Sequence, residues 1–316
     1  MTTVGVFGAN GFIGRHLTAA LLERGYRTVC FGRHFPRDFE EMLGNEAEIR
    51  LVDLHDDIEV HRKLFGITHV VQLINSSNAA IGNNKVVPDI HSNIIPHVSF
   101  INSCIVSGIR SFTFLSSGGT VYGQPRTVPI TEEHPTFPLN SYGLTKLFTE
   151  QYLRMLCRGT GTGFNILRVA NPYGPGQTGV GGQGLIGTIL QKFRQEQPLT
   201  IFGDGLNERD YLYIDDTVDA IVRAVEHDPL NDVVNVGSGQ GLSILAVVEA
   251  VEAALGKRIP REHIADRATD TPSNILDPSK AERLLGWKTT TPFREGVART
   301  VEWQLRQWGR DPAGRE

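Results

Sequence analysis

Two short segments carry residue types and spacings suited to chemistry. The first is Gly8-Ala9-Asn10-Gly11-Phe12-Ile13-Gly14. It follows the apolar, β-rich run 3–7 (TVGVF) and opens a stretch in which Ile13, Leu17, Ala20 and Leu21 fall on one helical face. Glycines at a strand-to-helix turn let the backbone approach a pyrophosphate, and the helix N-terminus offers free N–H groups and a partial positive charge. The third glycine lets the helix pack closely on the sheet. Gly8, Asn10, Gly11, Phe12, Ile13 and Gly14 are therefore the expected dinucleotide-binding residues.

The second segment is Tyr142-Gly143-Leu144-Thr145-Lys146. On a helix, residues four apart share a face, so the ammonium of Lys146 can lie near the phenol of Tyr142. A free tyrosine titrates near pH ~10, too high for a base at neutrality. The lysine, with a nicotinamide ring, stabilises the phenolate and lowers that value. Tyr142 then takes a proton from a hydroxyl while hydride leaves the same carbon.

Several elements must position these groups. Apolar runs at 28–31, 48–52, 69–74, 112–115 and 164–169 read as strands, with helical stretches at 93–107 and 141–157 between them. Alternating strands and helices imply an α/β fold with a parallel sheet covered on both faces. Residues 172–184 hold six glycines and two prolines, too many for regular structure. Beyond them come a helix near 185–195, apolar runs at 199–202, 211–214 and 233–236 read as strands, and a helix capped by Ser243.

At the end of the second strand, where a dinucleotide site usually has an acidic residue for the adenine ribose, stands Gly32. Arg33 beside it is open to three readings: a partner for a 2′-phosphate, which favours NADP, a stacking surface for adenine, or a solvated loop arginine. Asp53, next to Leu54 after the third strand, is placed to hold the adenine amino group, or is a turn aspartate.

The bulk numbers exclude little but point one way. The chain has 316 residues, 40% hydrophobic, and a net charge of −4. No basic patch suggests nucleic acid or a membrane surface, and no apolar run approaches the ~18 residues of a membrane span. Cys30, Cys104 and Cys157 lie far apart without CxxC spacing, which predicts buried thiols, a cytoplasmic setting and no metal site. No secretory signal is expected at the N-terminus.

These motifs occur with SSGGTVYG at 116–123, LRVANPYGPGQ at 168–177, RDYLYIDD at 209–216 and LGW at 285–287. In that order, over residues 3 to about 305, the chain resembles the extended short-chain dehydrogenase/reductases, specifically the NAD-dependent epimerase/dehydratase family and its nucleotide-sugar 4-epimerases. The resemblance implies a Rossmann doubly wound parallel sheet, residues 1–172 with a return around 211–238. It implies a smaller C-terminal α/β substrate-binding domain over 173–316. It also implies NAD, with NADP left possible by Gly32 and Arg33, and a UDP-linked sugar as substrate.

Many members of that family place a catalytic serine where this chain has Gly118; Thr120 is the first substitute and Ser117 the second. The 4,6-dehydratases carry an Asp-Glu pair in this segment, whereas the corresponding stretch here, Gly118-Gly119-Thr120, has no carboxylate, so elimination lacks its acid and base. By the same resemblance Asn171 and the 182–185 segment, ending at Leu185, reach the diphosphate. Thr200 and Phe202 flank the uracil, Arg209 and Arg267 clamp the phosphates, and Asp270 holds the ribose. Asn274, smaller than the tyrosine of some members, admits an N-acetylhexosamine. The implied activity is a 4-epimerase working through a 4-keto intermediate. The alternatives are an NADPH-dependent reductase of a 4-keto sugar and, remotely, a non-catalytic dinucleotide sensor. Helices 93–107 and 141–157 have two apolar faces, and in the family such helices meet across a two-fold axis, implying a homodimer.

Overall fold

The computed structural model describes residues 2–77, 86–179, 184–266 and 270–310. The chain alternates strand and helix through β1 (Thr3–Phe7), α1 (Phe12–Glu23), β2 (Arg27–Gly32), α2 (Arg37–Leu43), β3 (Glu48–Leu51), α3 (Asp57–Lys63) and β4 (His69–Gln72). It continues with α4 (Val86–Asn93), α5 (Ile95–Val106), β5 (Ser111–Ser117), α6 (Ser141–Cys157), β6 (Gly163–Val169) and β7 (Asn171–Tyr173). Then follow α7 (Leu185–Arg194), β8 (Leu199–Phe202), β9 (Glu208–Tyr213), α8 (Ile214–Glu226), β10 (Asp232–Val236) and β11 (Gly241–Ser243). The last elements are α9 (Ile244–Leu255), β12 (Arg261–Ile264), β13 (Ser273–Asn274), α10 (Ser279–Leu285) and α11 (Phe293–Arg310).

Seven parallel strands form one sheet in the order β10-β6-β5-β4-β1-β2-β3. Every residue of β1 and β4 is buried, as parallel strands covered on both faces require. Alternate residues feed opposite cores. Val4, Val6 and Cys30 pack on one side with Leu17 and Leu21 of α1, while Phe7, Val29 and Phe31 pack on the other with Phe100 of α5. The strand order turns back between β1 and β4, and that switch point opens a crevice at the carboxyl ends of the strands.

The C-terminal region adds two small sheets, one of β11, β9 and β13 with β7 on β9, the other of β12 and β8. It is not purely C-terminal in destination, because β10 returns to the edge of the large sheet beside β6.

Three local expectations change. The stretch 93–107 is not one helix: α4 ends at Asn93 and α5 restarts at Ile95, with Pro96 in its first turn, where a missing N–H costs nothing. The strand expected at 211–214 begins earlier, at Glu208, and Ile214 already starts α8, whose Asp215 and Asp216 suit a helix N-terminus. The glycine-rich segment after 171 contains regular structure after all, since Asn171–Tyr173 pairs with β9. Ser243 does cap α9, its Oγ accepting from the Ala246 N–H at 3.1 Å.

The RDYLYIDD and LGW motifs explain each other. Buried Asp216 accepts from the N–H groups of Thr290 and Thr291 and from the hydroxyls of Thr289 and Thr290, while Trp287 Nε1 donates to the Asp216 carbonyl at 2.9 Å. This carboxylate pins the turn after α10 to the start of α8. Replacing it removes four hydrogen bonds from half-buried and exposed donors to a buried carboxylate, each contributing on the order of 1 kcal/mol. Asp216→Ala should therefore lose about 3 kcal/mol or more in urea unfolding; a loss within error of zero would contradict this role.

Candidate active site

The crevice at the switch point is a cleft of about 630 Å³. On one wall lie Gly8, Gly11, Phe12, Ile13 and Gly14. Gly8 has φ +87°, a conformation that favours glycine. A Cβ on Gly14 would sit 2.2 Å from the Gly8 carbonyl oxygen, so only glycine lets α1 approach β1 this closely. No side chain caps α1 and no acidic residue occupies its first turn, which leaves its N-terminus suited to an anion. These features form a cradle that fits a dinucleotide pyrophosphate. His16 Nε2 lies 2.8 Å from the Pro175 carbonyl, so the GPGQ segment is tied to the same helix.

The adenine end follows a different logic from the one expected. A Cβ on Gly32 would meet the Phe35 ring at 3.1 Å, and Phe35 stacks on Phe39, which Arg15 covers in turn. An aromatic cluster, rather than a carboxylate, occupies the space beside the end of β2. Asn10 Nδ2 donates to the His34 carbonyl at 2.7 Å and fastens the glycine loop to that corner. Arg33 is exposed, and Asp53 Oδ1 accepts from the His55 backbone and ring. The Leu54 side chain is buried in the core, away from solvent.

Across the cleft, β5 and α6 meet residue by residue. Lys146 Nζ donates to the Leu115 carbonyl at 2.9 Å and lies 5.8 Å from the centre of the Tyr142 ring. The Ser117 side chain lies near enough to the Tyr142 phenol to favour its ionised form. Asn140 starts α6, its Oδ1 accepting from the Gly143 N–H. Burial pushes the Tyr142 phenol up to about 12, against the pull of Ser117. It also brings Lys146 down to about 8, against the pull of Glu150. In the protein alone desolvation dominates at the phenol, while the expected lowering by Lys146 together with a nicotinamide ring concerns the occupied site.

The two candidate hydroxyls occupy different places. Thr120 lines the cleft, and its Oγ1 is buried without a protein partner. Ser117 is the one that lies beside the tyrosine. A serine at Gly118 would be crowded, since its Cβ would fall 2.4 Å from Leu276 Cδ1 and 3.1 Å from the Arg168 carbonyl, so the leucine would have to move. Asn274 is buried beneath it, donating to the Gly118 carbonyl at 3.3 Å, and is not among the residues that line the cleft.

At the far end Asn171, Arg209 and Asp270 line the cleft. Asn171 Nδ2 donates to the Asp210 carbonyl, and Arg209 Nη1 donates to the carbonyls of Glu208 and Thr271, each at 2.8 Å. Burial lowers the Arg209 pKa, opposed by Asp270. Arg267 and residues 182–183 lie outside the described residues. Leu185 begins α7, next to Gly184 of the cleft wall. Thr200 and Phe202 are half-buried on β8, away from the cleft lining, with Thr200 donating to Glu262 at 2.9 Å. Asn75, Ser77, Gln177 and Thr271 line the cleft without having been singled out; the polar end of LINSS after an apolar strand was the available signal for the first two.

Comparison with known proteins gives this site a family. The description "NAD dependent epimerase/dehydratase family" matches residues 4–237. UDP-glucose 4-epimerase of Bacillus subtilis is 31% identical over 95% of this chain and 96% of its own length. The dTDP-4-dehydro-6-deoxyglucose reductase of Escherichia coli is 30% identical over 94% and 96%. Among solved structures, UDP-glucose 4-epimerase of Thermotoga maritima with UDP-glucose superposes with a TM-score of 0.90 at 30% identity, covering 97% of this chain and 99% of that one. The chain belongs to the NAD-dependent epimerase/dehydratase family, an extended short-chain dehydrogenase/reductase.

The crowding at Gly118 predicts a double-mutant result. Gly118→Ser should destabilise by about 1–3 kcal/mol through overpacking. Adding Leu276→Ala should relieve part of that loss, so the pair costs less than the sum of the singles in urea unfolding. Strict additivity would show that Leu276 does not exclude the serine.

Proposed function

We propose that the protein is a UDP-hexose or UDP-N-acetylhexosamine 4-epimerase that retains NAD. The observation that carries this is Tyr142 opposite the glycine cradle, with Ser117 beside its phenol and Lys146 on the same helix face. UDP-glucose 4-epimerases with NAD or with UDP-glucose are among the solved structures of similar fold, including that of Thermus thermophilus with NAD at 28% identity.

Gly8, Gly11 and Gly14 would hold the pyrophosphate of NAD, which when bound supplies a hydride acceptor and a positive charge beside the phenol. Tyr142 takes the proton of the sugar 4-hydroxyl through its phenolate, and Ser117 steadies that oxygen. Thr120 lines the cleft with a buried, unpartnered Oγ1, and a rotation about its χ1 would bring that hydroxyl to the sugar. Arg209, with Arg267, holds the diphosphate while the 4-keto ring turns, and Asn171 and Asp270 bind on either side. Tyr142 would then return its proton to the 4-oxygen as C4 regains hydride on its opposite face. Gly119 and Gly118 leave no carboxylate for elimination.

A reductase reading is favoured by one observation, the Gly32-Arg33 corner with Phe35 where a ribose-binding carboxylate would stand. The experiment separates the two. Purified protein should interconvert UDP-galactose and UDP-glucose, or their N-acetyl forms, without net NADH, and Tyr142→Phe should abolish turnover while NAD binding is kept. Stoichiometric NADPH consumption on a 4-keto sugar, with no interconversion, would establish the reductase instead.

The same reading includes a homodimer through α5 and α6, where Val106, Leu144, Phe148 and Met155 are exposed along faces that the described residues leave uncovered. Light scattering should give twice the chain mass of 34.8 kDa. A monomer at micromolar concentration would remove the dimer from the account.

A further inference from the structure

Among the described residues six glycines line the cleft, and the protein's own geometry accounts for five of them. Gly8, Gly123 and Gly184 have φ of +87°, +67° and +79°, where a side chain would be strained. At Gly11 and Gly14 an added Cβ would press on the Gly8 carbonyl oxygen, at 3.3 and 2.2 Å. Gly119 is different. Its φ lies outside the left-handed region, and a Cβ there would meet its nearest neighbour, Asn171 Oδ1, at 3.7 Å, an ordinary contact. The turn that holds it is closed by other groups, since the N–H groups of Thr120 and Val121 donate to the Ser117 carbonyl at 3.3 and 3.1 Å. Neither backbone nor packing requires a glycine at this position.

The direction of the missing side chain shows what uses the space. Its Cβ would stand between Asn171 Oδ1 and Ser117 Oγ, 3.9 Å from the latter. Ser117 lies beside Tyr142, and Asn171 lines the cleft together with Arg209. A nucleotide sugar held at its diphosphate by the arginine end and reacting at Tyr142 has its hexose between those two groups. Asn171 is not free to swing aside, because its Nδ2 donates to the Asp210 carbonyl at 2.8 Å. Next in the chain, Thr120 Oγ1 is buried without a partner among the described residues, which leaves a polar group near the space for a hydroxyl-bearing ligand.

We propose that Gly119 is a specificity-determining residue: the side chain it lacks is the space in which the hexose ring lies and turns. The inference rests on the nucleotide-sugar reading of the cleft and names the position that gives the sugar its room. It separates stability from binding. Alanine fits position 119 without strain and restricts the unfolded chain, so Gly119→Ala should melt at or above the wild-type temperature. Its methyl group nevertheless takes volume from the ring.

The test is calorimetric binding of UDP, UDP-glucose and UDP-galactose to the NAD-loaded protein, with Gly119→Ala and Gly119→Val beside wild type. UDP should bind all three proteins alike, and all three should retain NAD. The two UDP-sugars should bind Gly119→Ala about tenfold more weakly and Gly119→Val more weakly still, as overpacking of a filled space implies. Interconversion should fall in the same order. UDP-sugar affinities that match wild type in both variants overturn the proposal. So does an equal loss for UDP and the UDP-sugars, or a loss of NAD, since the space would then belong to another part of the ligands. A Gly119→Ala protein that fails to fold overturns it as well, because the position would have no room; if only the valine variant unfolds, the alanine variant decides. A wild type that binds UDP-glucose without interconverting it removes the epimerase reading, and the alanine loss would still support the role of Gly119. A wild type that binds neither UDP-sugar removes both.

Discussion

The contact on which the rest depends is the hydrogen bond from Lys146 to the carbonyl of Leu115. It joins the last turn of strand chemistry on β5 to the helix that carries the tyrosine. With that bond in place, Ser117 meets Tyr142 and Ser116 meets Glu150 without further adjustment. The glycine cradle on β1 and α1 then faces a phenol rather than open solvent. A rotation of α6 by one residue would turn about 100° of helix and break all three contacts together.

Burial is the force that this arrangement has to manage. It raises the phenol and lowers the lysine, so the two groups move away from the protonation states that proton transfer uses. Ser117, beside the phenol, opposes the first of these shifts. In the proposed reaction, a positive charge brought by the dinucleotide would favour the phenolate that burial disfavours.

The parts of this structure legible in the sequence are those where one residue type serves one backbone need. The glycines of the first loop, the cap at Ser243 and the Tyr142–Lys146 spacing are of that kind, and so are the alternating strands and helices. What was not legible depends on contacts between distant segments. Nothing near Gly118 announces Leu276, whose side chain crowds the space a Cβ there would take. Gly32 suggested a missing acid, whereas Phe35 three residues later shows the space to be filled. Asn274 looked like a determinant of sugar size and lies under the strand, bonded to Gly118. The buried ion pair of Glu150 and Arg168 was silent because such a pair has no local signature in either helix or strand.

The central claim is that hydride leaves and returns to the same sugar carbon within one closed cleft. UDP-galactose carrying deuterium at C4 tests it directly, with the product analysed by mass spectrometry and NMR. The account predicts UDP-glucose that keeps its deuterium at C4, with no NADH released. Product with protium at that carbon, or an oxidised sugar accumulating with free NADH, would contradict it.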